Sequence, residues 1–415
     1  METPTALPRP APRPGRRQLL GRRVGPTAFL LALVLATYVS VGPMGHGGGR
    51  GRAASAYSHV YPPDPIPVVH QNIPGKRPIA PKANTISGHR ILTSFPQLRS
   101  ALPKGVLRAV GAHVWRLTRP VAISRESVLR VKGPGHLQIG VGAFLDAFRG
   151  GTVDLENLDI VGVGGDGRPL KEPLQGRGFL LGDGGRLVLK RDRIADLGSL
   201  LDTSFGISFR DSLPGSGVID STIDGNYRGV FTSRATGVRI VGNRISNSRQ
   251  YGIDPHTDSS GLVIERNVVT GSGTHGIILA VGVRSSRVVD NVVDGAGDHG
   301  IMLFDRSDDN LVQGNRVSHT FDGIVVLDSS GNRVSNNTFD PVTRFGLRLS
   351  GQSRGNVFDH NTFAHALLGA YIYGGASGNN LLDNSFVAAR EDLRLRSDAP
   401  GNRVAPIPPR SEVGP

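Results

Sequence analysis

Residues 250–269 read QYGIDPHTDSSGLVIERNVV, and six further segments of the chain repeat this pattern. Each segment carries a glycine followed by alternating aliphatic residues, and these glycines are Gly229, Gly252, Gly276, Gly300, Gly323, Gly346 and Gly369. A second column consists of asparagines: Asn243, Asn267, Asn291, Asn315, Asn337, Asn361 and Asn384. Both columns recur at a nearly fixed period, which is typical of a repeat architecture.

Short runs of aliphatic and β-branched residues, separated by Gly, Asn, Asp and Ser, make up each repeat, which is typical of short strands joined by tight turns. Because the register recurs in one direction, the strands of successive repeats must stack in parallel. We therefore predict an all-β fold, a right-handed parallel β-helix (solenoid) with about 23–24 residues per coil. The asparagine column is interpreted as an internal ladder in which each side-chain amide bonds the backbone of the next coil.

Four regions follow from composition. Residues 1–45 combine a basic, Pro-rich start with an uncharged apolar run at 27–41 and are interpreted as an export signal or signal anchor. Residues 46–112 are predicted to be a Gly/Pro-rich linker and N-terminal cap, with a helix around 97–110. The β-helix catalytic domain is placed at 113–395, and a disordered tail at 396–415. The protein is accordingly expected to be secreted or extracytoplasmic, with 27–41 as a possible membrane anchor.

The net charge of +14 favours an anionic partner, although about half of it comes from eight arginines in the first 52 residues. No nucleic-acid-binding motif is present, so nucleic acid is not the expected partner. A monomer is expected. The chain has no cysteine, which by itself does not fix the compartment.

Alternation along each strand predicts which side chains face the core. Counting from the repeat glycine, positions plus one and plus three are apolar and must point inward. Positions minus one, plus two and plus four then face outward. The minus-one column contains Phe205, Arg228, Tyr251, His275, His299 and Asp322; plus two includes Ser208, Asp254 and Arg348; plus four includes Arg210, Ser233 and His256.

These outward columns predict a polar strip on a rigid sheet. Neighbouring parallel strands lie about 4.8 Å apart, so five coils give a strip of about 19 Å, along which a linear polymer could lie. His275 and His299 on adjacent strands could alternatively share a cation. Because the sequence offers no clear third ligand beside them, no metal site is predicted.

The segments at 251–279 (YGIDPHTDSSGLVIERNVVTGSGTHGIIL), 300–317 (GIMLFDRSDDNLVQGNRV) and 322–332 (DGIVVLDSSGN) resemble the mannuronan C-5 epimerase family. These enzymes convert mannuronate to guluronate within alginate. The resemblance is strongest over 205–375, and no calcium-binding glycine-rich repeats follow. It implies that Asp254 and His256 lie in the catalytic motif, with Tyr251 beside them.

Two positions depart from the family pattern. Thr257 replaces the acidic residue that usually follows the histidine, and residues 277–282 lack the usual arginine. Arg228 or Arg306 would then have to neutralise the substrate carboxylate.

Epimerisation at C5 of a uronate needs a neutralised carboxylate, a base on one face and an acid on the other. The predicted catalytic residues are Tyr251, Asp254, His256 and His275, with base and acid unassigned; the predicted substrate-binding residues are Arg210, Arg228, His299, Asp305, Arg306 and Asp322. No cofactor is expected, because no phosphate-binding loop is present.

Three alternatives stay open. A polyuronate lyase would use the same intermediate and eliminate the O4 leaving group. A non-catalytic β-helix could bind an acidic polysaccharide. A glycoside hydrolase ranks below both, because Asp254, Asp305 and Asp322 lie on different coils and form no carboxylate pair.

Overall fold

Three long sheets wrap around one apolar core in a computed structural model that describes residues 82–170, 176–200 and 205–405. Within these residues each sheet has thirteen strands, and successive coils of the chain add one strand to each sheet in turn. The predicted all-β right-handed parallel β-helix is confirmed. The predicted repeat length also holds over the later coils, as the pairing of Val230 with Ile253 and of Ile253 with Ile277 illustrates.

The first sheet, here called the site sheet, contains the strands Asn84–Ile86, Val121–Ile123, Phe144–Phe148, Phe179–Asp183, Gly206–Arg210, Arg228–Ser233, Ile253–His256, Ile277–Ala280, His299–Phe304, Thr320–Leu327, Val342–Ser350, Leu368–Ile372 and Glu391–Leu395. The second sheet contains Ile91–Leu92, Val128–Lys132, Thr152–Glu156, Arg186–Lys190, Gly217–Ile219, Arg239–Val241, Val263–Glu265, Arg287–Val289, Leu311–Gln313, Arg333–Ser335, Val357–Asp359, Asn380–Leu382 and Arg403–Val404. The third sheet contains Leu107–Gly111, Val114–Leu117, His136–Gly140, Asp159–Val163, Arg193–Ala195, Thr222–Asp224, Arg244–Ser246, Val268–Thr270, Val292–Asp294, Arg316–Ser318, Thr338–Phe339, Thr362–Ala364 and Ser385–Val387.

One short helix, Phe95–Ser100, lies at the start of the described residues. Its N-cap is Ser94, whose side chain accepts a hydrogen bond from the backbone N–H of Gln97, and it buries Phe95 and Leu98. The predicted helix around 97–110 was too long. Gly105 has a φ of +88°, and from Leu107 the chain forms a strand that pairs antiparallel with Val114–Leu117.

The predicted inward positions are confirmed, since residues such as Ile253, Ile277 and Leu279 are fully buried in the core. The repeat glycines are needed where the chain passes from the third sheet into the site sheet. A Cβ on Gly276 would lie 2.2 Å from Val293 Cγ1 and 2.8 Å from the carbonyl oxygen of Gly300. The glycine column therefore reflects close packing at this corner, and not an unusual φ.

The asparagine ladder is confirmed. At each step the side-chain oxygen of one asparagine accepts from both the backbone N–H and the side-chain amide of the asparagine one coil earlier, as Asn315 does for Asn291 at 2.9 Å each. The same amide group donates to a backbone carbonyl, as Asn291 does to Ile264. A second ladder, which the sequence analysis missed, runs at the corner before the second sheet through Asn310, Asn332, Asn356, Asn379 and Asn402.

The β-helix extends past the limits expected from composition at both ends. Its strands begin at Asn84 and continue to Val404, whereas 113–395 was expected. Residues 84–112 therefore belong to the first coil as well as to a cap, and the expectation of disorder from 396 was wrong for 396–405, because the amide of Asn402 closes the second ladder. The expected signal or anchor at 1–45 lies outside the described residues. In the described part of the chain, no helix is both long and apolar enough to span a bilayer.

Candidate active site

The outward columns of the site sheet hold the candidate site, but they are more buried than expected. Asp254 and Asp322 are 0% exposed and His299 is 2% exposed. The columns point away from the apolar core, as predicted, yet they do not form an open solvent-facing strip. Charged and aromatic side chains are instead packed against one another outside the core.

The register of the columns is almost as predicted. Val230 lies opposite Ile253 and His299 opposite Asp322. The exception is a bulge between Gly206 and Ile207, which places Arg228 opposite Gly206 and not opposite Phe205. The ring of Phe205 still packs on Arg228, with the guanidinium carbon 4.0 Å from the ring centroid.

A buried ion pair lies at the centre of the site. Arg228 Nη1 is 2.5 Å from Asp254 Oδ2, and Arg228 Nε donates to Gln250 Oε1 at 2.8 Å. Arg228 also lies over the rings of Phe231 and Tyr251, at 5.4 Å and 5.0 Å from their centroids. Both distances are within the range of favourable cation–π contacts. The aromatic faces and the carboxylate therefore hold this guanidinium in one position.

Asp254 keeps one oxygen without a partner. Its Oδ1 is buried and accepts no hydrogen bond within the described part of the chain. Burial raises the pKa of Asp254, while Arg228 and then His256 oppose the rise. A buried carboxyl with a raised pKa and an unpaired oxygen can take up a proton when a further negative charge approaches.

Three rings form a stack beside this pair. Tyr251 stacks on His275 with ring centroids 5.1 Å apart, and His275 stacks on His299 at 4.8 Å. Burial raises the pKa of Tyr251 to about 12, so the phenol is protonated near neutral pH. Burial lowers the pKa of His275 well below its usual value and that of His299 to about 3, in the second case assisted by Arg348 and Arg344. Both imidazoles are therefore neutral.

The structure adds a third possible metal ligand, Asp298, next to the two stacked histidines. The ring geometry nevertheless disfavours one ion between them. The planes of His275 and His299 are 8° from parallel, so their in-plane lone pairs run side by side and do not converge on one point. This arrangement fits a neutral stack better than a metal centre.

His256 lies on the other side of Asp254 along the same strand. It is half-buried, its Nδ1 is 2.7 Å from Thr257 Oγ1, and its ring centroid is 6.0 Å from that of Phe231. Thr257 thus orients the imidazole. We call Arg228, Gln250, Tyr251, Asp254 and His256 the proximal cluster.

A second group of charges, the distal cluster, comprises Asp322, Arg344, Arg348 and Tyr373. Arg344 forms two 2.8 Å hydrogen bonds with the carboxylate of Asp322. Arg348 donates from Nε to Tyr373 Oη at 2.8 Å. His299 links this cluster to the ring stack, since its Nδ1 is 3.3 Å from Asp322 Oδ2.

The remaining predicted residues lie at the margins. Arg210 lies in the column of His256 but two coils earlier, opposite Ser233, and it opposes the burial that raises the pKa of Asp146. Asp305 and Arg306 lie on the turn after the site sheet, where they pair with each other at 3.0 Å, and Arg306 is 62% exposed. The structure therefore makes Arg228, and not Arg306, the guanidinium beside Asp254.

The sequence analysis did not select Gln250, Asp298, Arg344, Arg348 or Tyr373 as site residues. Three of them share one signal, because Gln250, Asp298 and Arg344 each lie two residues before a repeat glycine. Arg348 lies in the plus-two column that contains Asp254, and its position could have identified it. The contact of Tyr373 with Arg348 joins two coils, and no pattern within one repeat of the sequence predicts it.

Fold and site together define a class: a right-handed β-helix protein whose site sheet carries an aromatic and charged strip outside the core. A family model described as "Right handed beta helix region" matches residues 148–317. A second model, "Periplasmic copper-binding protein (NosD)", matches residues 281–403.

Within this class the chain is similar to mannuronan C5-epimerases. It is 26% identical over 305 residues to the Pseudomonas putida enzyme, covering 68% of this chain and 58% of the relative. It is 30% identical over 255 residues to the epimerase AlgG of Azotobacter vinelandii, covering 54% of this chain and 45% of the relative. The chain thus spans about half the length of these relatives.

The fold is also that of a solved structure. The periplasmic alginate epimerase AlgG superposes with a TM-score of 0.67 at 20% identity, over 77% of this chain and 83% of that one.

Proposed function

We propose that the protein is a polysaccharide C-5 epimerase that converts mannuronate to guluronate residues within an alginate-like polyuronate. The observation that carries the proposal is the arrangement of the proximal cluster. Tyr251 and His256 lie on one coil, on either side of the buried Arg228–Asp254 pair. The names of the relatives support the same activity.

A sugar above Asp254 would have Tyr251 on one side and His256 on the other. Asp254 lies between them in the sequence, in the short strand Ile253–His256. A polymer running along the coils would present the two faces of its sugar ring toward these two side chains. Epimerisation needs proton transfer on opposite faces, and two protonatable side chains on either side of Asp254 support this role.

The substrate carboxylate is neutralised by Arg228 and Asp254 in this scheme. Arg228 offers its remaining N–H groups, and an approaching carboxylate raises the pKa of Asp254 further through like-charge repulsion. The raised pKa lets Asp254 take up a proton as the substrate binds, which leaves the charge of Arg228 to the substrate carboxylate. Both effects make the C5 proton more acidic, because the negative charge of the intermediate develops on the carboxylate oxygens.

We assign His256 as the base and Tyr251 as the acid. His256 removes the C5 proton, the electrons of the C–H bond move into the C5–C6 bond, and Tyr251 returns its phenolic proton to the opposite face of C5. A phenol with a pKa of about 12 is protonated and ready to donate. His275 is a poor base because its pKa is lowered, so its contribution is to hold the ring of Tyr251.

The location proposed for this activity is outside the cytoplasm, by secretion or by membrane anchoring through 27–41. The basic start and apolar run of the sequence support it, as does the periplasmic location of AlgG. The proposed partner is an anionic polysaccharide.

The test is proton NMR of polymannuronate incubated with the full chain in D₂O. We expect guluronate signals with deuterium at C5, and their loss in His256→Gln. The exposed Arg287→Gln, on the second sheet, is the matched control and is expected to retain activity. Unsaturated chain ends would identify a lyase, and an unchanged polymer would leave a binding protein; either result overturns the proposal.

A further inference from the structure

The distal cluster is not used by the mechanism above, and it contains an unusual cation. Arg348 is 4% exposed, and its nearest carboxylate oxygen, Asp322 Oδ2, is 3.8 Å away. That oxygen already accepts from Arg344 at 2.8 Å. Arg348 thus lies buried with only a distant, shared counter-charge.

The hydrogen bonds of Arg348 are also incomplete. Nε donates to Tyr373 Oη, which fixes the direction of the guanidinium plane. The two Nη atoms make no hydrogen bond to any part of the chain that the structure describes. Neither Nη atom is among the buried unpaired atoms of the described residues, so both remain open to an anion that approaches the outer face of the site sheet.

Neighbouring groups point to the same conclusion. Arg348 is the first electrostatic cause, after burial, of the lowered pKa of His299, so the surroundings of the cluster favour negative charge. Tyr371 stacks on Tyr373 at 4.3 Å and packs near Phe345 at 5.3 Å. An arginine fork beside aromatic faces matches a carboxylate carried on a sugar ring.

The position of Arg348 relates it to the proximal cluster. Both Arg348 and Asp254 lie in the plus-two column, where Ile278 pairs with Met302, Met302 with Val325 and Val325 with Arg348. Four coil steps separate Arg348 from Asp254, which is about 19 Å at the spacing of parallel strands. The three side chains between them are apolar and offer no hydrogen bonds to a sugar.

We propose that Arg348, oriented by Tyr373, binds the carboxylate of a second uronate residue on the same polysaccharide chain, several sugars away from the residue at Asp254. The inference rests on the proposed function for the identity of the polymer. Its consequence is a length requirement. A polyuronate long enough to reach both clusters gains affinity from Arg348, and an oligomer that fills only the proximal cluster does not.

The test compares the full-length wild-type protein with Arg348→Gln by calorimetric binding of polymannuronate and of a mannuronate dimer. We expect Arg348→Gln to weaken binding of the polymer by about tenfold and to leave binding of the dimer unchanged. In turnover, the KM for polymer should rise by a similar factor with kcat unaltered. Arg354→Gln, an exposed arginine on the adjacent turn, is the matched control.

A thermal melt checks that each variant is folded. Arg348→Lys keeps the positive charge and should lose less affinity for the polymer than Arg348→Gln. Equal affinity of wild type and Arg348→Gln for the polymer would overturn the inference, as would equal weakening for polymer and dimer. If polymannuronate binds through Arg348 without being epimerised, the inference stands and the proposed function fails. If wild type does not bind polymannuronate, both fail.

Discussion

The protonation states of single residues in the site depend on packing outside the core. Tyr251, His275 and His299 are each common surface residues in isolation, but their stacking removes water from all three. Burial penalises the charged form of each group, which raises the pKa of the phenol and lowers those of the imidazoles. Two neutral histidines and one neutral tyrosine result.

We expect Tyr251→Phe to lower kcat by about 100-fold or more, because it removes the proposed acid while keeping the ring stack. With a pKa of about 12, Tyr251 should cause no alkaline loss of wild-type activity up to pH 10. The measurement is kcat between pH 6 and 10. Tyr227→Phe, on the preceding coil, is the control and should be active. A Tyr251→Phe enzyme with wild-type kcat would remove Tyr251 from the mechanism.

The neutral His299 also predicts acid sensitivity. Its pKa in the folded protein is about 3, below the ordinary value of 6.5, so the unfolded chain binds the extra proton first. The stability that this difference contributes is complete above pH 6.5 and is lost as the pH falls toward 3, at up to about 1.4 kcal/mol per pH unit. His299→Gln should flatten this part of the stability curve in urea titrations. An unchanged slope would mean that His299 is not buried as a neutral group.

At the scale of the elements, the corners between the sheets contribute more to the register of the coils than the strands do. Many of the strands are very short. The asparagine ladders satisfy backbone groups at two of the corners and tie each coil to the next. The glycine column permits the close approach at the third corner. These corner contacts fix the register between successive coils, and with it the alignment of the site columns. Strands of two or three residues have too few backbone hydrogen bonds to fix it alone.

Asn315→Ala should destabilise the protein strongly. It removes the oxygen that accepts from the backbone N–H and the side-chain amide of Asn291, and each buried donor left without a partner costs about 1–3 kcal/mol. Thermal melting checks the loss. Arg316→Ala is the control, since this exposed neighbour of Asn315 makes no side-chain contact in the ladder. Similar melting temperatures for both variants would contradict a structural role for the ladder.

Asp192 extends the first ladder toward the N-terminus, since its backbone N–H donates to Ser221 Oγ and its carboxyl accepts from the N–H of Leu158. Burial raises its pKa to about 7. The folded state therefore binds the proton more tightly than the unfolded state. The contribution of Asp192 to the free energy of unfolding is fully present below pH 3.8. It is lost as the pH rises toward 7, by up to about 1.4 kcal/mol per pH unit.

Asp192→Asn should remove this loss, so the variant gains stability over wild type progressively from pH 4 to pH 7. Urea unfolding at several pH values measures the difference. A constant difference across this range would show that Asp192 is ionised in the folded protein.

At the scale of the whole molecule, the coil spacing sets the geometry of the binding surface. Stacked coils at about 4.8 Å place the proximal and distal clusters on one line, which suits an extended polymer better than a compact ligand. The chain carries a formal net charge of +14, which attracts polyanions over longer distances. Affinity for a polyuronate should therefore depend on salt.

Raising the ionic strength from about 0.05 M to about 0.5 M should increase the KM for polymannuronate several-fold and change kcat little, because screening weakens long-range attraction more than contacts inside a buried site. Steady-state kinetics at constant pH tests this. A kcat that falls in parallel with rising KM would indicate that the Arg228–Asp254 pair itself is screened.

The sequence by itself determined the repeat, the parallel β-helix, the core-facing positions, the first asparagine ladder and the columns that contain Arg228, Tyr251, Asp254 and His256. These features follow from the nearly constant repeat period and from alternation along a strand, both of which can be read directly from the order of residues. The tertiary structure alone decided that Arg228 is the partner of Asp254, that two histidines are buried and neutral, and that Arg344 and Arg348 meet Asp322. Those contacts join different coils, and the burial that fixes their charge arises only when the coils have stacked.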